Sequence, residues 1–435
     1  MLAVGILLGC SVAAVAQGAR EASLESQVKT LCQSYLADFA SAKTHLAYGQ
    51  KINGPKGTAV LAPPTEVRQG LVRGKPVPYG YGSGIEDVAL HNGHLLFALC
   101  DAHAATKNPY FAETARRVFS GLKLLGSASP VPGFVPRGPH PDDLKAYYGD
   151  SSLDQHTTFV YALWRYHRSE LATLADKEFI RQALANVGQR LEKNGWAIRV
   201  EDDSRIAHVG FSWLQATDVG AGTLLAVLAA LHDVTGDDHW RALYEQFGGE
   251  RDGFRWKLLD AGSGPRQKLT LYSNQFTVRD AVLTRLEKDP ARQAILTRRW
   301  SETASRFLRS NVWETWRRLD WGKGYSELSD DAAGQQLAEI GLSLKKPSTV
   351  FTLLEHHRTL PAETRRNFWV QRLCVRIPMG AFHAALLSGR RELAAEVAVP
   401  IRRLLAALDF EHLDSGETYY LAVVLGLHLL AVQGE

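Results

Sequence analysis

Cysteine is scarce in this chain of 435 residues: four occur, at Cys10, Cys32, Cys100 and Cys374. No pair has the short spacing that holds zinc or runs thiol–disulfide chemistry. Cys32, Cys100 and Cys374 each fall in a helical apolar pattern, which predicts buried small hydrophobes; a Cys32–Cys100 disulfide is the alternative. An excess of charge is also missing. Fifty Lys and Arg stand against 46 Asp and Glu, a net +4, with no cationic run, which argues against nucleic acid or an anionic membrane as partner. Strand-like alternation is nearly absent, and so are a Gly-x-Ser-x-Gly elbow and a His-Glu-x-x-His pair. Beyond the amino terminus no segment offers about 20 uncharged apolar residues, so no membrane span is expected. Asp142-Asp143 and Asp330-Asp331 are isolated pairs, too few carboxylates for the aspartate clusters of terpenoid toroids. What remains is ample core material, since 45% of residues are hydrophobic and 22% charged, a balance that excludes disorder.

Met1 to Ala16 carries no charge and ends in Ala14-Val15-Ala16, the pattern of a secretory signal with a small-residue cleavage site. The expected organisation is a signal over 1–16, a linker over 17–23 and one domain over 24–435, in a periplasmic or secreted protein. Leu7-Leu8-Gly9-Cys10 also reads as a lipoprotein box, which would make the protein lipid-anchored.

From Leu24 onward, apolar residues recur at i, i+3, i+4 and i+7, predicting twelve helices. They span 24–47, 85–107, 109–127, 154–168, 176–194, 218–235, 238–247, 270–288, 290–309, 366–388, 390–408 and 417–433. Tight turns alternate with long links rich in Gly, Pro, Trp and Tyr, a repeat of architecture rather than of sequence. The helices that follow the long links are apolar nearly all round, as over Asp218 to Leu231. Those that follow the tight turns, such as Lys177 to Arg190, have one polar face. Two concentric rings of six helices satisfy both patterns, so the expected fold is an all-α (α/α)6 toroid in a single domain; an open α-solenoid is the structural alternative.

Such a toroid brings the amino-terminal ends of six inner helices to one face, where free N–H groups favour negative or hydroxyl-rich ligands. Ser83-Gly-Ile-Glu86, Ser151-Ser-Leu-Asp154 and Asp414-Ser-Gly-Glu417 have capping-box spacing, which accounts for their acids without any chemistry. Asp87 and Asp150 are not the third residue of such a box, although Asp150 could serve as a cap itself. The stretch Arg137-Gly-Pro-His140, followed by Tyr147-Tyr148-Gly-Asp150-Ser-Ser-Leu-Asp154-Gln155-His156, concentrates groups that bind hydroxyls and carboxylates. Trp313, Trp316, Trp321 and Tyr325 form a second aromatic concentration in a polar loop, readable as a sugar platform or as a small core that clamps the loop. Trp213, Trp321 and Arg376 complete the candidate binding set. Asp87, His91 and His94 share a helix face and could hold a metal, but no further ligand set is visible, so neither metal nor cofactor is expected. Gly80-Tyr-Gly-Ser-Gly84 has neither a preceding strand nor a Lys and reads as a turn into a helix, not a phosphate loop.

With Gly80-Tyr-Gly-Ser-Gly-Ile-Glu-Asp87 and Tyr148-Gly-Asp150-Ser-Ser-Leu-Asp154-Gln-His156 on two successive inner helices, the chain resembles the six-hairpin glycosidases, particularly the unsaturated glucuronyl and rhamnogalacturonyl hydrolases. The resemblance implies two aspartates at the mouths of successive inner helices: Asp87, with Asp150 or Asp154 as acid and base. It also implies a uronic-acid-containing oligosaccharide as substrate, its carboxylate on Arg137 or Arg376. Acids on neighbouring helices leave room for a water, hence inversion. A polysaccharide lyase using Asn92, His91, Arg137, Tyr147 and Tyr148 is the rival enzyme, and a non-catalytic sugar-binding toroid is the rival outside enzymes. The oligomeric state is not readable from the sequence.

Overall fold

Where the apolar period is three to four residues, the chain is helical. The structure is a computed structural model and describes residues 23–261, 269–318, 375–407 and 416–433. Among the described residues there are fourteen α-helices: α1 (Leu24–Phe39), α2 (Pro64–Arg68), α3 (Val88–Thr106), α4 (Pro109–Gly126), α5 (Leu153–His167), α6 (Leu174–Lys193), α7 (Asp218–Thr235), α8 (Asp238–Ala261), α9 (Leu269–Leu286), α10 (Pro290–Phe307), α11 (Asn311–Arg317), α12 (Arg376–Leu387), α13 (Arg391–Ala407) and α14 (Gly416–Gln433). The only sheet among them is the two-residue antiparallel pair β1 (Leu71–Val72) and β2 (Lys75–Pro76). The fold is therefore all-α.

Local chemistry sets several boundaries. Asn108 and Asp289 cap α4 and α10 ahead of a proline whose missing N–H is not needed in a first turn. Thr173 and Asp176 form a reciprocal capping box on α6, and α7 stops where Gly236 turns left-handed at φ 70°.

The alternation of enclosed and half-wet helices is realised. In α3 every residue from Val88 to Cys100 is buried, and α7 is buried over most of its length, whereas α4, α6 and α10 keep an exposed face. The enclosed helices touch in succession: α14 on α3, α3 on α5, α5 on α7, α7 on α9 and α9 on α12. A ring-to-ring hydrogen bond of 2.6 Å from His383 to His428 joins α12 and α14. The half-wet α4, α6, α8 and α13 pack on α3, α5, α7 and α12. Leu95, Leu99, Leu163, Leu224, Leu228, Leu283, Phe382 and Leu427 are wholly buried between these helices, each side chain contributing about 1.5–3 kcal/mol.

Three stretches differ from the periodicity. Helix α1 ends at Phe39, short of 47, because the Asn92 amide grips Ala47 at both N–H (2.9 Å) and C=O (2.8 Å), and Ala40 pairs with Ala47 across the turn. Helix α8 continues to Ala261 through a break at Glu250–Gly253, where three successive residues have positive φ. The supposed polar loop with Trp313 and Trp316 is the short helix α11, capped by Ser310; the two rings stack at 5.3 Å and are buried. They are packing, while Trp321 and Tyr325 lie outside the described residues.

Cys32 and Cys100 are separate buried thiols, so the disulfide alternative is not realised; burial pushes each up to about 12. Cys10 and Cys374 lie outside the described residues. Among the described residues one helix, α7, is long and apolar enough to cross a membrane, and 67% of it is buried by its neighbours.

Candidate active site

The chain reaches α3 through a turn in which Gly80, Gly82 and Gly84 all have positive φ, between 74° and 85°. A Cβ on Gly80 would lie 2.6 Å from the Tyr148 ring, so only glycine fits there. Glu86 closes the turn: its carboxylate accepts from Gly82 N–H at 2.9 Å and from the Ser83 hydroxyl at 3.2 Å. The turn thus uses up Glu86, while the Ser83 hydroxyl accepts from Ile85 N–H, so the Ser83–Glu86 capping box does not form at the start of α3. Asp87 occupies the cap position of α3 but makes no capping bond, and a third of its side chain remains exposed.

Helix α5 starts beside it. Its cap residue Ser152 makes no side-chain capping bond. The expected box partner, Ser151, instead donates to the Val135 carbonyl at 2.6 Å, so the Ser151–Asp154 capping box does not form. That leaves Asp154, in the first turn of α5, half-buried and not engaged in capping. Gln155 ties the two helix starts together: its carbonyl accepts from Leu90 N–H at 3.0 Å and its amide donates to Asp87 Oδ1 at 2.9 Å. Arg137, 1% exposed, donates to the carbonyls of Glu86 (3.0 Å) and Ser151 (3.1 Å) and lies 3.7 Å from Asp87.

Electrostatically the two aspartates form a pair. Burial pushes the Asp87 carboxyl up to about 6; Arg137 opposes the rise, and Glu86 and Asp154 add to it. Burial likewise raises Asp154, against a hydrogen bond from Gln275 on α9 and the charge of Arg137. Burial of both acids, with the charge of Asp154 adding to the rise of Asp87, favours the protonated form at a pH where free aspartate is ionised. Tyr420 from α14 feels the charges of Arg376, Asp87 and Asp154, its phenol raised by burial first. The His91 ring stacks on Tyr420 at 4.1 Å and is pushed down to about 3 by burial, so it is a neutral imidazole.

Most other anticipated residues make contacts within the scaffold. Asp150 is 1% exposed; Arg205 pairs with it at 2.7 Å and His208 N–H donates to it at 2.9 Å, so it clamps the 200–213 loop and stands apart from the pair as an acid. His140 closes its own turn, its Nδ1 accepting from Asp142 N–H at 3.1 Å. Tyr147 donates to Glu201 at 2.7 Å and Tyr148 to the Leu71 carbonyl at 3.0 Å. His156 is buried with Nδ1 3.2 Å from both Ser151 Oγ and the Ser152 carbonyl. Trp213 is wholly buried, its backbone bonded to Trp196, so it is no exposed sugar platform. Arg376 is 7% exposed at the start of α12. Trp321, Asp330 and Asp331 lie outside the described residues, as do the side chains of Asp414 and Glu417.

Several site residues went unread in the sequence. Gln275 and Tyr420 lie inside helices whose apolar period hides them. Asp218, first residue of α7, pairs with the buried Arg299 at 3.1 Å; its place at a long-link helix start was the available signal. A rim of stacked rings, Tyr79 on His208 at 3.9 Å with Tyr81 edge-on, lies next to Arg137. Beside His208, Val209 is held at φ 60°, a strained conformation for a β-branched residue. Among the described residues, no three His, Cys, Asp or Glu side chains converge as metal ligands would. Comparison with family models, curated proteins and solved structures returns no match to this chain.

Proposed function

We propose that the chain is a glycoside hydrolase of uronic-acid-containing oligosaccharides, unsaturated ones included, built as a closed (α/α)6 toroid with Asp154 and Asp87 as its acid and base. One observation carries the reading: two carboxylates at the starts of adjacent buried helices, neither spent on capping, are both raised by burial, and Asp154 adds to the rise of Asp87. The succession of contacts from α3 round to α14 and back to α3 supports the ring. Asp154, half-buried and shifted upward, gives its proton to the glycosidic oxygen as the C1–O bond breaks. Asp87, held partly anionic by Arg137 and Gln155, takes a proton from the water that forms the new bond at C1. For an unsaturated uronide the same pair protonates the vinyl ether and directs water to it. Arg137 or Arg376 receives the uronate carboxylate.

The lyase reading is weaker, since Asn92, Tyr147 and Tyr148 are bound to Ala47, Glu201 and Leu71. The deciding experiment incubates the protein with saturated and unsaturated uronate oligosaccharides and follows ultraviolet absorbance and reducing ends together. Loss of absorbance on unsaturated substrates, or new reducing ends without absorbance, supports the hydrolase. A gain of absorbance identifies a lyase, and saturable binding without turnover identifies a binding protein.

A further inference from the structure

A second recess opens at the other end of the same helices. Asp101 lies fourteen residues beyond Asp87 along α3 (101 − 87), about 21 Å at 1.5 Å per residue. Around it is a cavity of about 400 Å³ lined from α3, α5, α9, α12 and α14, within the size range of small-molecule sites.

Its chemistry is uneven. Phe97, Leu386 and Val432 give it an apolar wall. On the polar side Asp101 is gripped by two guanidiniums, Arg165 Nε at 2.6 Å and Arg285 Nη2 at 3.3 Å. One carboxylate between two guanidiniums leaves one positive charge over. Arg165 is nearly buried, but the Arg285 side chain is 46% exposed. Its guanidinium lies 5.6 Å over the Phe97 ring, and Asp101 is its one hydrogen-bond partner among the described residues. His383, wholly buried, meets His428 Nδ1 through Nε2 at 2.6 Å. With the His383 Nε2–H donating, His428 carries its own proton on Nε2 and can donate it to a ligand.

A single spare positive charge beside a hydrocarbon wall suits a monoanion with an apolar body. All five lining helices end here and their last carbonyls carry partial negative charge, which the spare guanidinium charge has to outweigh for a monoanion and which opposes a second negative charge further. We propose that this cavity binds a small monocarboxylic acid, its carboxylate on Arg285 and His428 and its hydrocarbon part against Phe97, Leu386 and Val432, independently of the Asp87–Asp154 pair.

Calorimetric titration of the intact protein with phenylacetate, phenylacetamide, phenylethylamine and inorganic phosphate tests this. Phenylacetate is expected to saturate one site per chain, with the amide, the amine and phosphate weaker by at least about ten-fold. Arg285→Gln should weaken phenylacetate by about ten- to a hundred-fold, the loss of a charged hydrogen bond. Ala281→Phe, which fills the cavity, should abolish binding with the helical circular dichroism retained, and Asp154→Asn should leave phenylacetate affinity unchanged. Equal binding of acid and amide, tighter binding of phosphate, full affinity in Arg285→Gln, loss of binding in Asp154→Asn, or no saturable heat in the millimolar range would each overturn the proposal.

Discussion

Replacing Arg137 by methionine tests how the two helix starts are held. The guanidinium supports the Glu86 and Ser151 carbonyls at 3.0 and 3.1 Å and faces Asp87 at 3.7 Å. Unit charges at that distance attract by about 1 kcal/mol at the dielectric of water and about 4.5 kcal/mol at an effective dielectric of 20. Because the Asp87 side chain is 34% exposed, the lower part of that bracket applies after screening, about 1–3 kcal/mol or one to two pKa units. The charge removed is positive, so the neutral acid gains, and Asp87 should rise from about 6 to about 7–8. The Glu86 carbonyl keeps the Gln155 amide at 3.2 Å, so leaving the Ser151 carbonyl unpartnered should also lower the unfolding free energy by about 1–3 kcal/mol. The assay is a carboxyl-carbon NMR titration with aspartate labelled, the Asp87 signal assigned by its absence in Asp87→Asn, with denaturant unfolding in parallel. An Asp87 pKa that stays near 6 or falls would refute the electrostatic argument; unchanged stability would refute the structural one.

Asp154→Asn and Asp87→Asn should each lower turnover of the uronate substrate by about a hundred- to ten-thousand-fold without loss of helical signal. Asp150→Asn should lower turnover by less than about ten-fold and instead speed hydrogen exchange at His208 N–H; equal losses at all three positions would contradict the division of roles. Burial holds His91, His94 and His156 near 3 and His428 near 4, against 6.5 for the free side chain. They are neutral when folded and protonate on unfolding, so stability is full above 6.5 and is lost as the pH falls from there towards 3. Asp87, raised when folded, works the opposite way between 3.8 and about 6, and so does Asp154, which burial also raises; two acids stand against these four histidines and His383, which burial lowers as well. Net uptake of about three protons on unfolding is expected near pH 5, and a denaturant midpoint that holds or rises between pH 7 and pH 5 would contradict it. In Gly222→Ala the new Cβ would sit 2.7 Å from the Arg279 guanidinium, which pairs with buried Asp280 at 2.6 Å. Overpacking there should lower stability by about 1–3 kcal/mol, read from chemical unfolding; a neutral effect would mean the ion-pair layer is not rigid.

The helix positions were legible because burial of one face imposes a period that any local window can read. Helix α7 has the predicted bounds of 218–235, and α4 and α10 begin where Asn-Pro and Asp-Pro place them. The end of α1 was not legible, since it depends on Asn92 reaching back across 45 positions to Ala47. The Trp313–Trp316 segment misled for a related reason: two rings in polar sequence look like an exposed platform until Phe307 and α12 are packed against them.

At the candidate site the same division holds. The sequence by itself determined that acids cluster at the starts of the apolar helices, and that Glu86 has the spacing to close its own turn. Only the tertiary structure decided which acids are left over. Ser151 turns to Val135 and Asp150 is claimed by Arg205 and His208, while Gln155 and Arg137 tie Asp87 to the start of α5. Spacing records which side chains are able to satisfy a nearby backbone group. Which of them does so depends on partners tens of residues away, which only the packed chain brings near.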